Sequence, residues 1–456
     1  MAATAAIQLA EYFSKLGYRD VPEHSRTGVK RLLLDYLGVA IAGSQTDSGR
    51  IACRVAQSDG GNPEASLIGD GARVPPADAA FANAISSHSL ELDDIDVLAL
   101  FHFSPPVYSA ALAAAEKGCN GKQLIVALVA GCEMMERASR ATNPSLRDRG
   151  YHTTPACGVF GAAIAAGKLW RLSSAKLMSA IGLAAAQSSG ILEFQGPSMQ
   201  KRFSPGPGAR GGIIAARMAQ YGYTGQDSIL EGPRGFIQAY SDKYDAGRLV
   251  ERLGKPYHLD IEFKPYSCAR PIHNAIDCAL EIRNRDNPSI ASIVAIEVAR
   301  HPSWASFHQI KAPASFHSAQ MSLPYSVAVV FKEGQALIKQ YADRKLKDPQ
   351  LVRLMQATKI TTDPSLPRGV SCRMTVATKD GRRLQSQVDY PKGSIQNPMS
   401  DAELQAKFTS LAAPVVGKDR AEAIVELVDK IEHCGDLGKL MRLTAKPKAA
   451  ARSKGK

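Results

Sequence analysis

The sequence predicts a mainly α protein, a large all-helical domain with a smaller α/β domain. Three observations carry this. The first half is a succession of apolar segments, rich in Ala and Gly, with helical spacing. After about Lys264 the pattern changes to alternating runs such as Ile293 to Val298, which read as strands. Cys372 to Ala377 and Leu384 to Tyr390 then flank Asp380-Gly381, a strong hairpin signal. At 456 residues the chain has room for two or three domains and a large core.

In chain order, Ala5 to Leu16 reads as a short amphipathic helix. Val29 to Ala42, apolar on most sides after a basic start, reads as an interior one. Ser66 to Gly69 is at most a brief extended piece. Ala77 to Ser87, Val107 to Ala115, Gln123 to Ser139 and Gly158 to Trp170 continue as helices of small residues suited to close packing. Ser173 is a natural N-cap for a helix reaching about Ser188. Lys201 and Arg202 precede a loop, Ser204-Pro205-Gly206-Pro207-Gly208, and then a helix from Gly211 to Tyr221. In the second half Leu323 to Tyr341 reads as a helix. Ser400 with Glu403 makes a capping box, and Arg420 to Cys434 a last amphipathic helix. The expected division is a helical domain over 1–264, an α/β domain over 265–400, helices returning to the first domain over 401–443 and a basic disordered tail over 444–456.

Composition removes several function classes. Net charge is +13, but Lys446, Lys448, Arg452, Lys454 and Lys456 sit in the tail. Aromatic residues are 6% and no nucleic-acid motif is present, so no nucleic-acid partner is expected. Eight scattered cysteines without a C-x-x-C pair fit reduced thiols in a cytoplasmic protein, not disulfides or structural zinc. The N-terminus lacks a basic n-region and meets Glu11 early, so it is not read as a signal peptide. No apolar run approaches the roughly 18 residues of a bilayer span, and no membrane partner is expected. Gly206, Gly208 and Gly211 spell G-x-G-x-x-G, but that fingerprint needs a strand before it. The preceding residues are polar and broken by Pro205, so no nicotinamide or flavin is expected.

Four polar stretches interrupt the apolar pattern. His88, Glu91, Asp93, Asp94, Asp96 and His102 lie between two apolar helices. They read as a metal site, as a carboxylate orienting a histidine for acid–base work, or as a loop that caps helices. Tight metal spacing such as H-E-x-x-H is missing. His152 precedes an apolar helix, whose positive end disfavours the imidazolium and keeps the ring ready to accept a proton. The plainer reading of a lone histidine is a structural hydrogen-bonder. Lys264, Tyr266, Arg270 and His273 lie where the helical half meets the α/β half; they are a ligand site at a domain join or a solvated linker. Tyr325, in Ser322-Leu323-Pro324-Tyr325, opens a helix, where a buried tyrosine is usually core with its hydroxyl satisfied. Lys201 and Arg202 are an anion site or a solvated pair.

Taken in order, HSLELDDI, GYHTTPACGVFGAA, AIGLAAAQSSGILE, the Lys201 loop with GARGGIIAARMAQYGYTG, FKPYSCARPIH and SLPYSVAVV resemble the MmgE/PrpD family. That family contains 2-methylcitrate dehydratase, cis-aconitate decarboxylase and iminodisuccinate epimerase. The resemblance covers about residues 5–440. It implies a helical domain with an α/β lid, a homodimer, and a lyase acting on a small polycarboxylate with no metal or organic cofactor. An epimerase of a dicarboxylate, or a non-catalytic carboxylate binder, is the alternative. The resemblance places catalytic residues at His102, His152, Lys201 and Tyr325, and substrate contacts at Glu91, Asp93 and Lys264. The family's H-x-L-D-F-D-D-T reads HSLELDDI here, so Glu91 replaces an aspartate and Ile95 a threonine. The spacer to His102 is one residue longer, and a further decarboxylase histidine falls on Ala269.

Overall fold

Thr153–Leu169 is the helix around which the first half is built, with every residue except Lys168 buried. It packs against Ser104–Ala115, Gly121–Thr142, Ser174–Ala185 and Pro205–Gln220. Small residues set these crossings, because only they let the backbones meet. A Cβ on Gly212 would stand 2.3 Å from Ala162 Cβ, and one on Gly161 would stand 2.5 Å from the Gly131 carbonyl oxygen. The computed structural model describes residues 3–194, 198–255, 259–367 and 371–447.

Caps fix where these helices begin. Asn120 and Gln123 satisfy each other's backbone N–H groups ahead of Gly121–Thr142. Ser400 and Glu403 do the same ahead of Asp401–Val416, as their spacing predicts. Asp401–Val416 returns to pack on Glu23–Gly43. The first buried core therefore draws on residues 5–263 and 399–441.

A second buried core uses residues 268–388. Its sheet contains β3 (Ile293–Arg300), β4 (Thr358–Thr362), β5 (Cys372–Thr378) and β6 (Arg383–Val388); a separate two-stranded ribbon, β1 (Ala65–Ser66) and β2 (Arg73–Val74), belongs to the first half. The sheet order is β4-β3-β5-β6, with β3 and β4 parallel and the other pairs antiparallel. Cys372, Met374 and Val376 alternate inward on β5, against the helix His273–Asp286. Gly381, at φ 83°, turns β5 into β6 where Asp380-Gly381 predicts a hairpin.

Several expectations need correction. The Gly-Pro stretch is not a loop: Gln200–Phe203 is one helical turn, and the long helix starts at Pro205. Proline is tolerated in a first turn because its missing N–H would have no partner there. The G-x-G-x-x-G glycines thus lie inside a helix preceded by another helical turn. Leu323 to Tyr341 is not continuous. The helix Leu323–Glu333 ends at Gly334, at φ 70°, and a short 3-10 turn, Ile338–Tyr341, follows. Asp47–Ser58, His273–Asp286 and Thr358–Thr362 are elements the pattern did not single out. Residues 444 and 445 of the expected tail are anchored. Thr444 is buried and its carbonyl accepts the Gly69 N–H at 3.0 Å, while the Ala445 carbonyl accepts from Arg420 at 2.7 Å. Residues 448–456 of that tail lie outside the described residues. Among the described residues no helix is long and apolar enough to cross a membrane.

Candidate active site

The loop between Pro76–Ser87 and Ser104–Ala115 carries the acidic stretch, and its carboxylates divide into two kinds. Asp94 accepts the N–H groups of Phe103 at 2.7 Å and Ser104 at 3.1 Å, and so caps the following helix. Asp96 accepts those of Leu98 at 2.8 Å and Ala99 at 2.7 Å. These two do the work of the capping reading. Burial and the nearby Asp93 push the Asp94 carboxyl up to about 7. Glu91 and Asp93 point to side chains instead.

Asp93 organises two histidines. Its Oδ2 lies 2.7 Å from His88 Nδ1 and 3.2 Å from His102 Nδ1. His102 Nδ1 also donates to the Asp94 carbonyl. A carbonyl only accepts, so His102 carries its proton on Nδ1 and its Nε2 keeps a lone pair. Burial pushes the Asp93 carboxyl up, but His88, His102 and Lys264 more than offset this and hold it below the usual carboxylate range. Burial pulls the His102 imidazole down to about 3 against the pull of Asp93, and depresses His88 as well. Both rings are neutral at pH 7.

His152 meets this pair from the start of Thr153–Leu169. Its ring is 6.3 Å from that of His88, and its Nδ1 is 2.5 Å from Ser204 Oγ. Burial first, then His88, His102, Lys201 and Arg147, keep it well below the ordinary histidine range. The packing of Phe194 against it, ring centres 5.0 Å apart, adds to its burial.

A cation cluster faces these rings. Lys201 and Arg202 both donate to Glu91 Oε1. Lys264 Nζ lies 3.3 Å from Glu91 Oε2 and 3.6 Å from Asp93 Oδ1. Burial pushes the Glu91 carboxyl up, but the three cations outweigh it and hold it well below its usual range. Burial pulls the Lys201 ammonium down to about 8, with Glu91 opposing and Arg202 and Lys264 adding to the fall. Lys264 goes the other way, because Asp93 and Glu91 outweigh its burial. Glu91 itself sits at φ 55°, a strained conformation for a non-glycine residue.

Backbone and amide bonds hold the two halves of the chain together here. Ile95 and Glu262 exchange backbone hydrogen bonds at 3.0 Å, which sets Lys264 beside Asp93. Gln320 accepts from Arg202 at 2.9 Å and donates to the Leu90 carbonyl at 2.8 Å and to Ser267 Oγ at 2.9 Å.

Of the residues singled out from the sequence, the structure brings together Glu91, Asp93, His102, His152, Lys201 and Lys264. It does not bring Tyr325 to them. The Ser322 cap and the following proline turn Tyr325 into the second core, where its hydroxyl donates to the Gln340 carbonyl at 2.6 Å. Tyr266, Arg270 and His273 are spent on the join: Tyr266 bonds Asp277, and Arg270 holds Glu262 at 2.8 Å and His273 at 3.1 Å. Three further residues belong to the cluster: His88, Arg202 and Gln320. The first two lie in stretches the sequence flagged, while Gln320 has no local signal.

The MmgE/PrpD N-terminal domain family model matches residues 7–248, and the C-terminal domain model of the same family matches residues 266–433. The chain belongs to the MmgE/PrpD family. Curated relatives match it over more than nine-tenths of its length. A cis-aconitate decarboxylase-like protein of Aspergillus oryzae is 28% identical over 96% of this chain and 96% of its own. The cis-aconitate decarboxylase of Aspergillus terreus is 26% identical over 96% of this chain and 95% of its own. That of Homo sapiens is 26% identical over 93% of this chain and 92% of its own. This MmgE/PrpD member therefore carries both halves of the family architecture, with the His and Lys cluster between them.

Proposed function

We propose that this MmgE/PrpD enzyme is a cofactor-independent lyase of a small polycarboxylate, acting through a carbanion next to a carboxylate. The observation that supports this best is the facing arrangement of neutral imidazoles and buried cations. Loss of carbon dioxide, or of a proton, leaves an electron pair beside a carboxylate, whose oxygens take up the charge; a proton then quenches it after decarboxylation, or it forms the double bond as hydroxide leaves in dehydration. Lys201 and Arg202 are placed to stabilise that charge in a site screened from water. His152 and His102 are the proton carriers: neutral at pH 7, either can accept the proton that dehydration removes, and the proton that decarboxylation requires is supplied by the Lys201 ammonium, directly or through them. Asp93 orients His102 and His88 and stabilises the imidazolium once it forms.

His88, Asp93 and His102 also place one possible ligand atom each within 4.8 Å of one another. A cation there would meet the Lys264 ammonium, which already lies 3.6 Å from Asp93 Oδ1 and 3.3 Å from Glu91 Oε2. This supports acid–base use of the three. The active species we propose is a homodimer, in keeping with Ile214, Met218 and Tyr221 lying exposed along one helix and its end.

The test is a screen of purified, chelator-treated protein against di- and tricarboxylates, followed by NMR for loss of carbon dioxide or water. Turnover of at least one compound is expected. No turnover of any of them, or turnover only after a specific metal is restored, would contradict the proposal.

A further inference from the structure

His308 lies on the stretch between Pro302–Ala305 and Phe316–Gln320, and the acid–base scheme leaves it unused. Its backbone is held at φ 64°, a left-handed conformation uncommon outside glycine. Two hydrogen bonds fix it there. The Leu323 N–H donates to the His308 carbonyl at 2.9 Å, and His308 Nδ1 donates to the Met321 carbonyl at 3.2 Å. Met321 follows Gln320, whose amide oxygen accepts from Arg202 at 2.9 Å. The ring is thus anchored one residue along the chain from the group that ties the α/β half to the cation cluster. The charges of Lys201 and Glu91 both act on it.

A carbonyl only accepts, so the His308 proton sits on Nδ1 and Nε2 keeps a lone pair. Nε2 has no hydrogen-bond partner among the described residues, and the side chain is half-buried, so a ligand can reach it. The ring also stays neutral. Burial and then Arg300 pull it down to about 4, and Lys201 adds to the fall, against the Met321 carbonyl and Glu91. The Arg300 guanidinium is held by carbonyls, that of Phe307 at 3.2 Å and that of Pro271 at 2.8 Å, so its charge beside His308 is not cancelled by a carboxylate. His102 has Asp93 at 3.2 Å to take up the charge of an imidazolium. Among the described residues no carboxylate bonds His308. It is therefore a hydrogen-bond acceptor and not a proton carrier. An acceptor that cannot donate repels a carboxylate oxygen and matches a hydroxyl.

We propose that His308 is a specificity-determining residue: its Nε2 accepts a hydrogen bond from a hydroxyl group of the substrate, so that the site takes a hydroxy polycarboxylate in preference to its deoxy analogue. This rests on the lyase reading for the word substrate, but the contact is tested by binding alone.

Two pairs of compounds differ by one hydroxyl: malate with succinate, and citrate with propane-1,2,3-tricarboxylate. Their dissociation constants for the full chain are measured by calorimetry at pH 7, in the His152→Gln background for any compound that the wild type consumes. In at least one pair the hydroxy member is expected to bind more tightly by about tenfold or more. His308→Gly removes the ring and suits the left-handed backbone. It should lower that ratio by about fivefold or more, through weaker binding of the hydroxy member. His308→Asn, also tolerated at positive φ but too short to present the acceptor, should do the same. A smaller hydroxyl preference in both pairs overturns the proposal, and so does an unchanged ratio in either folded variant or no detectable binding of any of the four compounds. The wild-type order decides the matter if neither variant folds. Absence of turnover with the expected binding order would count against the lyase reading and leave the hydroxyl contact of His308 intact.

Discussion

Glu91 and Lys201 control each other's charge, and this fixes a pH response. Glu91 opposes the fall of the Lys201 pKa, which lies at about 8. If the Lys201 cation stabilises the developing charge, kcat/KM is constant below pH 8 and falls as pH rises through that value. Removing the Glu91 charge in Glu91→Gln takes away the contribution that raises the Lys201 pKa, so the falling limb moves to lower pH. A pH profile of kcat/KM for both proteins checks this, since it reports the free enzyme. Lys201→Ala and His152→Gln should each lower kcat by on the order of 10²-fold or more, with unchanged circular dichroism. Near-normal rates in both folded variants would remove these residues from the mechanism. Glu91 and Ile95 also bear on substrate choice. Glu91 is one methylene longer than the family's aspartate and Ile95 lacks the threonine hydroxyl, so this chain should be poor on both cis-aconitate and 2-methylcitrate. The double change Glu91→Asp and Ile95→Thr should raise kcat/KM for one of them, within the limit set by the longer spacer before His102. A wild-type kcat/KM on the order of 10⁴ M⁻¹s⁻¹ or more on either compound would show that specificity is not shifted.

At the scale of elements, backbone contact between helices has a direct consequence. Gly212 lies against Ala162 with no room for a methyl group, so Gly212→Ala should destabilise the protein by about 1–3 kcal/mol. A denaturant melt checks this, and an unchanged midpoint would mean that the crossing is looser than described. The long helices and the β5–β6 hairpin were legible in the sequence because small-residue runs, caps and Asp380-Gly381 act over short spans. The helix from Pro205 was not, because glycine and proline are loop-formers by propensity and enter a helix only where a first turn or a neighbour such as Pro155 at Gly208 demands them. His273–Asp286 was hidden by its polar composition and is held by packing on β5 and β6. In the site, His102, His152, Lys201 and Lys264 could be read from family motifs. Gln320 could not, because its importance comes only from where the chain folds back. Tyr325 was misplaced because a motif preserves the local turn but not which side of the join the side chain faces.

Over the whole molecule, the site depends on both halves of the chain. Glu91 and His152 come from the helical half, while Lys264 and Gln320 belong to the join and the part beyond it. Motion between the halves would part Gln320 from Arg202 and the Leu90 carbonyl, so substrate binding should tighten the join. Light scattering on the purified chain should give the mass of a dimer, and a monomer at micromolar concentration would contradict the proposed assembly. The central claim, proton transfer by imidazole under a buried cation cluster without a metal, is tested most directly by isotope. Chelator-treated wild type, Lys201→Ala and His152→Gln are incubated in deuterated water with the polycarboxylate that the screen identifies, and deuterium at the carbon next to the carboxylate is followed by NMR. The account predicts incorporation by wild type and none above background by either variant. A decarboxylation product without deuterium at that carbon, a hydrated product of the reverse reaction without it if the reaction is a dehydration, or equal incorporation by His152→Gln, would contradict it.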